Sequence, residues 1–283
     1  MKKIVTVFMI SFCYAYAQDT NRFISFEKSY QNNSDKLSLN ADVIKASFAL
    51  GDLDLGVSLA QRNLNFSPNF NYSDEDVSKL YAVDFSLKKN LIQKNNWTVQ
   101  LEFTPQIRSN FKSNLQWDNF LWNGGLNLTK KINDNSSFLL AIKYGSLLGK
   151  PKPYVELSYK QKIGEKFNLT LGFPETSINY KLNETHSFGL KSYYDSYYTT
   201  VSDQSYSRVI SNQTLLYESL FFSGINTNLT YFYKYSNSSI INFSIGKSYN
   251  NKLELNENYN YLNKISFNNT FNVSIGFKYN LNY

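Results

Sequence analysis

The chain has 283 residues, a formal charge of +7 and a mean hydropathy of −0.41, and after residue 20 no apolar run is long enough for a membrane-spanning helix. Its one cysteine, Cys13, excludes a disulfide-stapled fold. Charges are interspersed rather than blocked, so nothing points to nucleic acid.

Lys2 and Lys3 precede the apolar run Ile4–Tyr14, and Ala15-Tyr16-Ala17 places small residues before a cleavage point. This is the pattern of a secretory signal peptide over residues 1–17, leaving 18–283 as one domain. The apolar run is too short for an anchor, which needs about 20 residues. Bulky Phe12 argues against a lipoprotein at Cys13. An exported chain without cysteine must then be held by ample burial or by a closed sheet.

The predicted strands follow a period of two. In the first long one, Leu37, Leu39 and Val43 give way to Ala46, Phe48 and Leu50, a phase slip that predicts a β-bulge near Ile44. Tyr81, Val83, Phe85 and Leu87 alternate with polar residues, as do Trp97, Val99, Leu101 and Phe103. Phe138–Tyr144, Val155–Tyr159, Phe167–Phe173 and Ile241–Ile245 repeat the pattern. The last strand runs from Phe271 to Tyr283, roughly 40 Å at about 3.3 Å per residue. Tilted by about 40°, it spans roughly 30 Å, a bilayer core.

Connections alternate between long and tight. FSPNFNYSDEDVS (66–78), RSNFKSNLQWDN (108–119) and GSLLGKPKP (145–153) are long; Gly51-Asp52, IQKNN (92–96), NDNSS (133–137) and GEK (164–166) are tight. TVSDQSYSR (200–208) leads into one long strand ending at SNSS (236–239), and NNKLELNENYNYLNK (250–264) reads as a connection. The tally is 14 strands, or 12 if the hairpin turning at PET (174–176) does not cross the membrane. Alternating turn lengths, aromatic residues near strand ends and an even strand number predict an all-β, single antiparallel up-and-down transmembrane β-barrel. A soluble β-sandwich would leave open edges, which pairing of the first and last strands removes.

The stretches GKPKPYVELSY and KIGEKFNLTLGFPETSINYKLNETHSFGL, with LGFP (Leu171–Pro174) the most specific, resemble an outer-membrane β-barrel family labelled domain of unknown function 6268. The likeness covers roughly residues 36–283. It implies the outer membrane of a Bacteroidetes-type Gram-negative bacterium and carries over no catalytic residue. The final aromatic, Tyr283, resembles the C-terminal signal read by the barrel-assembly machinery.

If the apolar faces meet lipid, Asp84, Lys88, Glu102, Lys143, Glu156, Lys160, Lys162, Lys191 and Lys278 face inward and line the lumen. Charges of both signs suit either a passive channel for small solutes or a sealed, non-conducting barrel acting through its long loops. No catalytic set is expected. The only histidine, His186, reads as a turn residue, and in a strand Ser187 beside it would point to the opposite face. Asp74, Glu75 and Asp76 read as a solvated loop tip, lacking the glycine and downstream glutamate of a Ca²⁺ loop. No metal or cofactor is expected, and Asn-x-Ser/Thr triplets follow from asparagine richness.

Overall fold

A computed structural model describes residues 22–32, 37–66, 77–112, 114–200, 207–210, 213–216, 218–257 and 260–281. The expected signal peptide, the Asp74–Asp76 cluster and Tyr283 lie outside them. The chain winds up and down through β1 (Phe23–Asn32), β2 (Leu37–Leu50), β3 (Leu53–Phe66), β4 (Lys79–Lys94), β5 (Trp97–Ser109), β6 (Phe120–Asn133), β7 (Ser136–Gly145) and β8 (Lys152–Ile163). Two short strands follow, β9 (Phe167–Phe173) and β10 (Glu175–Lys181), then β11 (His186–Thr200). A small hairpin, β12 (Ser207–Ile210) and β13 (Gln213–Leu216), pairs only with itself. The chain ends in β14 (Ser219–Lys234), β15 (Ser239–Glu257), β16 (Asn260–Ser266) and β17 (Thr270–Asn280).

All pairings are antiparallel, and β1 pairs with β17 from Phe23↔Asn280 to Asn32↔Phe271. That pairing closes the sheet. β16 and β17 pair with successive halves of β15, so together they fill one place in the wall. The barrel therefore has 14 strands. One rim carries tight turns: Asn95 and Asn96 take φ of 50° and 65°, the left-handed pair that a two-residue hairpin requires. The opposite rim carries the long connections.

The outer face meets lipid. Ile44, Phe85, Leu101, Leu126, Ile142, Leu229 and Ile275 are all exposed on it, as a protein surrounded by acyl chains requires. Phe138 and Tyr144 bracket this apolar face on β7, and Phe167 and Phe173 bracket it on β9 at the same residue spacing. The short β9–β10 hairpin thus reaches the same apolar height as β7. Strands on either side are longer because they continue past the lipid.

Those continuations pack on each other across the barrel mouth, on the long-connection rim. Leu37, Leu39, Leu64 and Leu80 from β2–β4 meet Leu220, Phe222, Leu253 and Leu255 from β14–β15, all buried in one cluster with Tyr197, Ile265 and Phe267. This is the barrel's dry core, and it lies inside the sheet rather than in the lipid belt.

The core explains the phase slip in β2, whose register with β1 and β3 runs unbroken through Ile44. There is no bulge there. Leu37 and Leu39 point inward into the core, whereas Ile44, Phe48 and Leu50 point outward to lipid, so the apolar set changes face while the backbone stays regular. A register break does occur in β15 opposite Gly224, where Asn250 has φ 53°. Three other expectations are corrected. The segment after TVSDQSYSR is split into β12, β13 and β14, since Ser207–Leu216 forms a separate hairpin before the wall resumes. NNKLELNENYNYLNK is mostly strand, because Leu253 and Leu255 are drawn into the core. The closing strand ends at Asn280.

Candidate functional site

The candidate site is the lumen. Register places all of Asp84, Lys88, Glu102, Lys143, Glu156, Lys160, Lys162, Lys191 and Lys278 on the inner face, in the same alternation as buried Ala82, Ala141 and Thr270. The structure brings four of them into a chain. Lys88 lies 3.3 Å from Glu102, Glu102 lies 2.9 Å from Lys143, and Lys143 lies 3.0 Å from Glu156. These charges stand on β4, β5, β7 and β8, so the middle link must pass over β6.

Gly125 makes that possible. It sits between Glu102 and Lys143 in register, and a Cβ there would lie 2.7 Å from Lys143 Cγ and against the Ile142 carbonyl. With no side chain on β6, the ammonium reaches Glu102 directly. Asn127 Nδ2 donates to Glu102 at 3.2 Å and to Gln100 at 3.3 Å, completing the carboxylate's shell. Lys191 pairs separately with Glu175 at 2.6 Å. Lys278 stacks its ammonium 4.2 Å over the Phe23 ring, and no ion pair of Lys160, Lys162 or Lys278 is found among the described residues.

Above this belt a second group joins the walls. Tyr197 on β11 lies under two guanidinium groups, Arg62 at 4.6 Å and Arg108 at 5.1 Å, and its hydroxyl donates to the Tyr81 carbonyl at 3.1 Å. Arg62 faces Asp195 at 3.8 Å, and Arg108 faces Asp84 at 3.4 Å. Arg108 Nη1 also donates to the Tyr198 carbonyl, 3.3 Å away. The Thr200 hydroxyl meets Asn119 Nδ2 at 2.8 Å and the Asp118 carbonyl at 3.0 Å. β11 is not a sheet neighbour of β3, β4 or β5. These contacts therefore cross the lumen and tie its two sides together beneath the apolar core. Tyr198 and Phe221, on the reverse face of the same strands, pack on Leu121 of β6, so the upper ends of β11 and β14 lean inside the wall. Sequence reasoning missed Arg62, Arg108, Asp195 and Tyr197. The signal available was the inward phase of Leu37, Leu39, Leu253 and Leu255, which only an internal core explains.

Below that junction the lumen is polar and incompletely packed. A cavity of about 470 Å³ lies among Lys45, Asp54, Asp84, Ser86, Lys88 and Lys278. Asn123 Oδ1, Asn127 Oδ1 and Asn228 Oδ1 point inward, buried, with no protein hydrogen-bond partner. In a dry interior each such oxygen would cost about 1–3 kcal/mol.

His186 opens β11 rather than sitting in the turn, and it faces outward. Its Nδ1 lies 2.6 Å from the Tyr231 hydroxyl, and its ring stacks on Tyr231 and Tyr233 in the aromatic girdle of the tight-turn rim. In the turns themselves, hydrogen bonds from Lys131 and Lys181 hold the carboxyls of Asp134 and Glu184 below the usual carboxylate range.

The model of a family described as Domain of unknown function (DUF6268) matches residues 53–280. Among curated proteins, none matches the sequence. Solved structures with a similar outline include the NanC porin, at 9% identity and a TM-score of 0.43, covering 91% of this chain and 100% of that one. The COG4313 outer membrane channel from Pseudomonas putida F1 has 8% identity and a TM-score of 0.44, covering 94% and 97%. The toluene transporter TodX of Pseudomonas putida has 12% identity and a TM-score of 0.36, covering 94% and 90%. The barrel assignment itself rests on the closed strand pairing.

Proposed function

We propose, for a chain that belongs to the family described as Domain of unknown function (DUF6268), a passive small-solute channel of the outer membrane, closed at its outer end in the form described above. In this reading the tight turns face the periplasm, and the long connections and the apolar core face the cell exterior. A signal peptide and a C-terminal aromatic suit export to a Gram-negative outer membrane, of the Bacteroidetes type that the family resemblance implies, and insertion by the assembly machinery there. The reading assigns the barrel no reaction.

One observation carries the channel: the lumen at belt height is a polar, charged and incompletely packed space rather than a packed core. The 470 Å³ cavity beside Lys88 and Lys278 has room for water, and elsewhere on the inner wall the unpartnered amide oxygens of Asn123, Asn127 and Asn228 call for it. Mixed charges along such a wall favour hydrated ions and small polar solutes. A second reading, a non-conducting barrel acting at the cell surface, draws on the apolar core across the mouth.

Planar-bilayer recording separates the two. Leu80→Asp buries a carboxylate in the core and should open the mouth while leaving the lipid belt intact. The wild type should be silent or open rarely, and the variant should give frequent ohmic steps. A variant that keeps its compact, heat-modifiable band yet stays silent would favour the non-conducting barrel.

A further inference from the structure

Strand register arranges the outer faces of β1–β4 into rows. Phe26, Ile44, Leu59 and Val83 stand side by side, and the next row towards the long connections is Lys28, Asp42, Gln61 and Tyr81. Beyond it come Tyr30, Asn40, Asn63 and Lys79. One step along the strands therefore takes the wall from apolar to polar, and this marks the level where acyl chains end and headgroups begin. At that level the wall is hollowed. A groove of about 950 Å³ runs from Ile44, Leu59 and Val83 up to Gln61 and Lys79, beneath Phe111.

Phe111 is held over the groove at some cost. It follows the end of β5 with φ 52°, a left-handed conformation that a bulky residue adopts rarely, and its ring stacks 5.8 Å from Tyr81. The floor continues the lipid-facing belt without a break. The top is cationic: Lys79 is exposed, Lys112 lines the same end, and Lys28 lies 3.5 Å from Asp42 beside it. Lys28 and Asp42 offset each other, which leaves Lys79 as an exposed cation of this lip with no ion pair among the described residues.

We propose that this groove seats one membrane lipid of the outward-facing leaflet, with its upper acyl segment on Ile44, Leu59 and Val83 and its phosphate at Lys79. Apolar floor and cationic lip match an anionic glycerophospholipid, and Phe111 closes over its glycerol region. The proposal uses the orientation given above but does not depend on conduction.

Native mass spectrometry of the folded, detergent-released barrel, titrated with phosphatidylglycerol or with phosphatidylcholine, tests it. One phosphatidylglycerol should bind in preference to phosphatidylcholine. Lys79→Glu should weaken that adduct at least about fivefold, the scale of one or two surface charges. Leu59→Trp, which fills the floor, should weaken both lipids. Lys152→Glu, an exposed reversal on β8, should change nothing. Equal binding of the two lipids, or equal losses in Lys79→Glu and Lys152→Glu, would overturn the proposal, as would unaltered binding in Leu59→Trp. Heat-modifiability checks that each variant is folded.

Discussion

Lys143 illustrates how a single residue here serves two partners. It lies between Glu102 and Glu156, and its removal leaves two carboxylates facing each other across β6 and β7. Lys143→Met should therefore lower stability by about 3–5 kcal/mol in denaturant unfolding, the scale for stripping one partner from a largely buried pair. Lys160 also faces inward but has no ion pair among the described residues, so Lys160→Met should cost less than about 0.5 kcal/mol. Equal costs would mean that the ion-pair chain adds nothing beyond surface polarity. His186→Ala removes the hydrogen bond to Tyr231 and two ring contacts at the rim. It should change barrel stability slightly and leave any solute flux intact; a large loss of flux in a folded His186→Ala barrel would refute a purely structural histidine.

At the scale of the element, the short β9–β10 hairpin is the informative case. Ile178 is at the middle of β10 and faces outward, opposite Leu169 and Leu190. If this hairpin crosses the lipid, Ile178→Lys should cost about 2–4 kcal/mol, the midplane penalty for a barrel wall. A cost near zero would place the hairpin outside the bilayer. The extramembrane core invites a different measurement. Leu220→Ala removes a side chain that is 1% exposed and should speed amide exchange at the upper ends of β11 and β14, with a local loss of about 2–4 kcal/mol. Exchange in the lipid belt, around Leu229 for example, should not change. Strands and tight turns were legible because alternation and turn chemistry are local. Alternation and strand register group the same charged side chains on one face, since face follows from period alone. What the sequence hid was which inward residues meet across the barrel. Tyr197 reaches Arg62 and Arg108 only because the tops of β11 and β14 lean inward, and that is a property of the closed sheet rather than of any segment. The same blindness turned the switch at Ile44 into an expected bulge: an apolar residue counts as outward until an internal core is known.

For the whole molecule, the account is a lipid belt with a polar lumen, and beyond it a dry core that closes one end. On the inner face Lys45, Lys160, Lys162 and Lys278 lack ion-pair partners among the described residues, against unpaired Glu27 and Asp54. Once the mouth is open, as in Leu80→Asp, the reversal potential in a salt gradient should favour anions. Adding Lys160→Glu and Lys278→Glu should turn that preference towards cations, and an unshifted reversal potential would place these lysines away from the ion path.

In the proposed channel the lumen opens to the tight-turn side and is shut on the other. Ser86 lines the belt cavity, and Ser86→Cys in a Cys13→Ser background gives a chain with a single thiol. Labelling with a membrane-impermeant thiol reagent, applied separately to intact cells and to periplasm-exposed membranes, reads access to it from each side. Modification should be fast from the periplasm, slow from the cell exterior, and fast from both sides once Leu80→Asp is added. Rapid modification from the exterior in the otherwise native barrel would contradict it.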